Sequence, residues 1–149
     1  MPTLDRLALG SDHAGYEMKE FVKKELDRLG IPYNDLSPGV CDPADDFPVS
    51  SSAVARAVAD GTCSRGIALC GTGIGASMAA NRFRKVRAAL CLNPEMARMA
   101  RSHNNANILV LGGRITSPDT VAQILRVWFE TPFAGGRHER RMAMLDTVC

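Results

Sequence analysis

Gly66-Ile67-Ala68-Leu69-Cys70-Gly71-Thr72-Gly73-Ile74-Gly75-Ala76-Ser77-Met78-Ala79-Ala80-Asn81 is an apolar run that ends in a cysteine, turns through glycines and a threonine, and opens into an alanine-rich helical pattern. That order predicts a buried parallel strand, a tight backbone turn and a helix start. Backbone N–H groups at a helix N-terminus favour an anion, and glycine lets a ligand approach the main chain closely. A thiol at the lip of such a turn is a candidate base or nucleophile. Each part also has a plainer reading. Gly-x-Gly-x-Gly is often only the turn between strand and helix, and a strand-terminal cysteine is often a small buried hydrophobe.

The same alternation runs outward in both directions. Leu7-Ala8-Leu9-Gly10 reads as a first strand, followed by a helix from about Gly15 to Leu29. In it Met18, Phe21, Val22 and Leu26 form the apolar stripe, Lys19, Lys23 and Lys24 are expected to face out, and Gly30 stops it. Ile31 to Leu36 is a second strand, weakened by Pro32. Ser37 to Pro48 is a loop rich in proline, glycine and aspartate, and a helix is expected from Val49 to Asp60. After the Gly66–Cys70 strand and its helix comes a fourth strand, Val86 to Cys91. Asn93-Pro94 and Ser117-Pro118 each pair an N-cap residue with proline at the first helical position. Between them Ile108 to Leu111 makes a fifth strand. Val121, Ile124, Leu125, Trp128 and Phe129 give the next helix a wide apolar face, which places Trp128 in the core or at a subunit contact. Pro132 ends that helix, and a last one follows Gly135-Gly136.

Strand–helix alternation of this kind predicts an α/β fold: a Rossmann-like three-layer α/β/α sandwich around a five-stranded parallel sheet. Ligands in open sheets of this class bind at the carboxyl ends of the strands. Asp12-His13, Cys70-Gly71-Thr72 and Arg114 follow strands one, three and five, so they are expected to converge on one edge.

The 149 residues suit a single domain, 1–149, with 46 % apolar and 23 % charged residues. No apolar run is long enough to span a membrane, and Met1-Pro2-Thr3-Leu4-Asp5-Arg6 lacks the order of a signal peptide. A net charge of +2 gives no reason to expect a nucleic-acid partner. The five cysteines (Cys41, Cys63, Cys70, Cys91, Cys149) have neither zinc-site nor disulfide-framework spacing, which suits a reducing, cytoplasmic setting. His13, His103 and His138 lie at no metal-ligand spacing, so no metal site is expected.

Singly, the polar residues are ordinary. Asp12-His13 can be a loop turn, His103 can satisfy carbonyls at a helix end, and Arg137 with Arg141 can be a solvated basic face. His138 is read as surface or as support for its neighbours. Their order along the chain changes this. Gly10-Ser11-Asp12-His13-Ala14-Gly15, Cys70-Gly71-Thr72-Gly73-Ile74-Gly75, Arg101-Ser102-His103-Asn104 with Ala106-Asn107, Gly112-Gly113-Arg114, and Gly135-Gly136-Arg137-His138 through Arg141 together resemble the ribose-5-phosphate isomerase B family. That family includes galactose-6-phosphate isomerase subunits, and the resemblance spans about Leu7 to Leu145.

The resemblance implies a cofactor-free aldose–ketose isomerase of the pentose phosphate pathway, acting on a sugar phosphate through an enediolate. It implies Cys70 as the base between C1 and C2 and Thr72 at the carbonyl oxygen, with the amides of Gly71, Gly73 and Gly75 in an anion hole. His103 would open the furanose ring, assisted by Asp12. His13, Arg114, Arg137 and Arg141 would hold phosphate, and Asn104 would contact the sugar. It also implies a homodimer or tetramer with shared active sites, the C-terminal helix (about 136–147) packing on the partner. The physics is consistent: developing oxyanion charge needs preorganised donors, histidine titrates near neutrality, and arginine forks onto phosphate oxygens.

One departure concerns Asp46-Phe47-Pro48, where many family members carry tyrosine. The missing hydroxyl leaves a six-carbon substrate such as allose 6-phosphate open beside ribose 5-phosphate. From other classes, a nucleotide-binding module lacks the G-x-G-x-x-G spacing, and a thiol redox sensor on Cys70 leaves the arginines unexplained.

Overall fold

The computed structural model describes residues 5–37, 39 and 41–148. The expectations for Met1 to Leu4 and for Cys149 lie outside these residues, as do those for Pro38 and Val40 of the loop. In chain order the elements are β1 (Leu7–Ser11), a 3₁₀ turn (His13–Gly15), α1 (Tyr16–Leu29), β2 (Tyr33–Asp35), α2 (Phe47–Ala59), β3 (Gly66–Cys70), α3 (Ile74–Ala80), β4 (Ala88–Leu90), α4 (Pro94–Ser102), β5 (Ile108–Gly112), α5 (Pro118–Glu130) and α6 (Arg137–Leu145). The five strands are all parallel, in the order β2-β1-β3-β5-β4. This is the Rossmann-like α/β architecture that the alternation predicts.

Strand pleating divides the core in two. Leu7, Leu9, Ile67, Leu69, Leu109 and Leu111 pack with Val22 and Leu26 of α1 and Val121, Ile124, Leu125 and Trp128 of α5. The alternate positions, Ala8, Ala68, Cys70, Ile108 and Val110, face Val54 and Val58 of α2 and Ala76 and Ala80 of α3. The second face uses smaller side chains, so α2 and α3 lie close to the sheet. Trp128 is fully buried and therefore belongs to the core.

The helix caps behave as the sequence indicates. The Asn93 side chain accepts from the Met96 amide, and Ser117 accepts from Thr120. Gly30 ends α1 at φ +72°. Three expectations are corrected. The edge strands β2 and β4 are three residues each, shorter than the runs that suggested them, because each has one neighbour to extend it. α2 begins at Phe47 with Pro48 in its first turn, two residues before the expected start. Lys19 does not face out. It is fully buried, and its Nζ is held by Asp35 Oδ2 at 2.9 Å and the Ser37 carbonyl at 2.7 Å. The helical wheel assigns a lysine to solvent, but here a carboxylate and a carbonyl at the end of β2 meet the buried cation.

Candidate active site

The carboxyl edge of the sheet gathers the first group of residues. Cys70 ends β3 on the face covered by α2 and α3 and is 5 % exposed. The chain turns at Gly73, whose φ of +81° suits glycine, and a Cβ there would lie 2.5 Å from Leu90 Cδ1. The turn aims the Gly73 amide at Cys70 Sγ, 3.1 Å away, an arrangement complementary to an anionic sulfur. The Ile74 amide donates to Thr72 Oγ1 at 3.2 Å. Two main-chain bonds stitch the end of β5 to the turn: Gly113 N–H to the Cys70 carbonyl at 2.8 Å, and Arg114 N–H to Gly71 at 2.9 Å. The Arg114 side chain lies beside Gly71; a Cβ there would be 3.6 Å from Arg114 Cδ.

Beside this turn, buried Asp12 caps the 3₁₀ turn by accepting the Gly15 amide at 3.0 Å. His13 follows, and Asp45 Oδ1 takes both its backbone N–H at 2.9 Å and its ring Nδ1 at 2.7 Å. The hydrogen bond to Asp45 is the largest influence on His13. With the charges of Asp12 and Asp45 it outweighs partial burial and Arg114, and His13 titrates above 6.5. Asp12, His13 and Asp45 offer donor atoms within 4.8 Å of one another, a spacing a cation could use. One oxygen of each carboxylate already serves an N–H group, Asp12 Oδ1 that of Gly15 and Asp45 Oδ1 those of His13. The Phe47 ring covers Gly75, where a Cβ would lie 2.7 Å from Cζ. That Cζ is the carbon that would carry a tyrosine hydroxyl, so the aromatic position flanks the glycine turn. Asp45 and the seat of Phe47 were not identifiable from sequence, since no spacing links residue 45 to 13 or residue 47 to 75.

A second group forms around the C-terminal end of α4. The His103 amide closes the helix on the Met99 carbonyl, and its ring stacks on His138 of α6, with centroids 4.2 Å apart and planes at 10°. Asn104 Nδ2 reaches Met142 Sδ at 3.8 Å. Arg137 and Arg141 are exposed on the same short helix. Burial, then the positive charges of His103, Arg137 and Arg141, lower the His138 pKa. So His138 is more than surface: it is the plate against which His103 is held. Arg101 anchors this corner from inside, donating to the Ala106 carbonyl at 2.6 Å and lying 5.5 Å from the centre of the Trp128 ring. Burial pushes its pKa down to about 10. Next to the group a groove of about 770 Å³ is lined by Asn81, Arg82, Arg87, Asn104 and Leu145, among others.

The two groups are on opposite edges of the sheet. Cys70 is the last residue of β3, whereas Asn107, four residues after His103, bonds to Gly66 at the start of β3. A five-residue strand lies between, four steps of about 3.3 Å or roughly 13 Å. Asp12, His13, Cys70, Thr72 and Arg114 therefore converge within one chain. His103, Asn104, Arg137 and Arg141 converge with one another, away from them. Large apolar side chains stand exposed near the first group: Ile74 at 51 %, Met78 at 66 % and Ile115 at 54 %. Among the described residues no helix is long and apolar enough to cross a membrane.

Comparison with known proteins adds to this geometry. Residues 7–145 match the family model described as Ribose/Galactose Isomerase. The ribose-5-phosphate isomerase B of Escherichia coli is 34 % identical over 145 residues, 97 % of each chain. The crystal structure of a ribose 5-phosphate isomerase from Thermotoga maritima is 47 % identical, with a TM-score of 0.91 over 97 % of this chain and 99 % of that one. The Mycoplasma genitalium ribose-5-phosphate isomerase B, solved with bound ribulose-5-phosphate, is 34 % identical, with a TM-score of 0.90 over 95 % and 94 %.

Proposed function

This chain belongs to the Ribose/Galactose Isomerase family and is an isomerase, and from that premise we propose that it interconverts ribose 5-phosphate and ribulose 5-phosphate through a cis-enediolate. The observation that carries the proposal is the carboxyl-edge turn. It unites a strand-terminal thiol, an amide aimed at its sulfur and a threonine hydroxyl, with Arg114 beside Gly71 and His13 close enough to feel its charge. Ribulose-5-phosphate bound to a relative with a TM-score of 0.90 supports the choice of substrate.

In this reading His103 delivers a proton to the ring oxygen while Asp12 helps to remove the C1 hydroxyl proton, so the C1–O bond breaks and the aldehyde opens. The Cys70 thiolate then takes the C2 proton, and the electron pair moves to the C1 oxygen. Thr72 and the turn amides meet that oxyanion. The proton on the C2 hydroxyl is released as the C2 carbonyl forms, the C1 oxygen is protonated, and Cys70 returns its proton to C1. The sequence is redox-neutral overall and asks for no external oxidant or cofactor. His13, Arg114, Arg137 and Arg141 hold the phosphate, which never reacts, so its binding energy serves to position C1 and C2. Asn104 contacts the sugar.

The separation of about 13 Å between the two groups favours sites shared between chains: Cys70, Thr72, Asp12 and His13 of one protomer facing His103 and the arginines of another. The exposed apolar side chains near Cys70 and the short helix α6, none of whose residues is buried, suit a homodimer, or a tetramer built from it. The cysteine pattern suits a cytoplasmic enzyme. Assaying five- and six-carbon aldose phosphates for ketose formation tests the substrate. Ribose 5-phosphate is expected to give the highest kcat/KM. A higher value on allose 6-phosphate transfers the assignment to the six-carbon sugar, and no ketose from any of them refutes it.

A further inference from the structure

We propose that Asp45 is a positioning residue for His13: it grips the backbone and the Nδ1 edge of the imidazole, leaving Nε2 to meet the phosphate of the bound sugar, and so sets the pH range over which the site holds phosphate. This rests on the assignment of His13 to phosphate made above. One carboxylate oxygen, Asp45 Oδ1, accepts both the His13 amide at 2.9 Å and ring Nδ1 at 2.7 Å, fixing main chain and ring together. Asp45 is itself set by the hydrogen bond that its backbone N–H donates to the Asp42 carbonyl at 3.1 Å, in the segment leading into α2.

With Nδ1–H committed to Asp45, the neutral ring turns a lone pair outward at Nε2, which repels a phosphate oxygen. The protonated ring presents an N–H there and donates. Phosphate recognition through this ring therefore needs the imidazolium. Within the protomer the titratable and charged groups facing it are Asp12 from the 3₁₀ turn, Asp45 and Cys41 from the loop, and Arg114 from the turn after β5; in the shared site proposed above, Arg137 and Arg141 of the other protomer join them and act in the same sense as Arg114. Arg114 disfavours the cation, and the two carboxylates favour it. A phosphate monoester becomes dianionic above about pH 6. Dianion and imidazolium thus coexist from there up to the pH at which His13 loses its proton, and Asp45 moves that upper limit higher. Below the window the imidazolium persists without help, and the Asp45 charge only opposes the phosphate.

The prediction is a crossover. Inorganic phosphate binding to the intact enzyme is measured by calorimetry from about pH 5.5 to 8.5, its dianion window opening at a higher pH than a monoester's, with the His13 ring titrated by NMR in ligand-free protein. Asp45→Asn should bind phosphate about three- to tenfold more weakly at the alkaline end and as tightly or more tightly at the acid end. His13 should titrate lower in that variant, and Asp45→Glu should restore both behaviours. A loss equal at every pH makes Asp45 a loop support only and overturns the proposal. So does an Asp45→Asn enzyme whose binding profile matches the wild type. Wild-type enzyme that binds no phosphate at any pH refutes the phosphate assignment itself, and the His13 titration still reports whether Asp45 controls the ring.

Discussion

Mixing two inactive variants tests the shared site most directly. Cys70→Ala removes the proposed base from the carboxyl edge, and His103→Ala removes the proposed ring-opening group from the other edge. Within one protomer about 13 Å of strand separates these edges, too far for both side chains to reach one sugar ring. Each variant alone should lose about 10²–10⁴-fold or more in turnover. In the proposed two-fold dimer every site would take Cys70 from one chain and His103 from the other. After random exchange half the dimers are mixed, and each mixed dimer carries one intact site and one doubly damaged site. About a quarter of wild-type activity should therefore return. The assay is ketose formation from ribose 5-phosphate, with native mass spectrometry reporting the extent of exchange. Complete exchange with activity still at the parental level would refute the shared site.

Cys70→Ala should still bind inorganic phosphate while turnover falls by about 10²–10⁴-fold; near-normal turnover in the folded variant removes Cys70 from its role. Gly73→Ala forces a side chain onto a φ of +81° and against Leu90. The conformation alone costs about 1–2 kcal/mol, which a thermal melt reads as a Tm lower by roughly 2–8 °C. Burial would raise the Asp35 carboxyl, but hydrogen bonds from Lys19 and the Ser37 amide outweigh it and hold the group below 3.8. Its stabilisation is present above the unfolded pKa and is lost as pH falls through the lowered folded one. Asp35→Asn should cost about 3–5 kcal/mol at neutral pH by leaving Lys19 without its carboxylate, and flatten the acid-side decline in urea stability. An unchanged acid limb would assign that decline to other groups.

What could be read in the sequence was local. The strand–turn–helix at Gly66 to Asn81, the proline-bearing caps at Asn93 and Ser117, and the αL stop at Gly30 depend on neighbouring residues, and each stands where expected. The convergence of Asp12, Cys70 and Arg114 followed from topology, because parallel strands carry their following loops to one edge. What escaped depended on contacts between distant segments. Lys19 is buried only because Asp35 and Ser37 come to meet it. The pairing of Asp45 with His13, the stacking of His138 on His103 and the seat of Phe47 over Gly75 join residues with no periodic relation. The ends of β2 and β4 were overdrawn because apolar content marks where a strand could run, while a partner decides how far it does.

The strand order also bears on how the chain is made. β5 lies between β3 and β4 although it is the last strand in sequence, so β4 has no sheet to join until residues 108–112 arrive. A ribosome adding about 5–20 residues per second needs roughly 2–8 s to pass from Cys70 to Gly112. Throughout that interval the edge of β3 that β5 will occupy has no native partner to pair with. The strand that bears the thiol is thus the one left waiting during synthesis, and β5 closes the sheet and brings Arg114 to Gly71 in the same step.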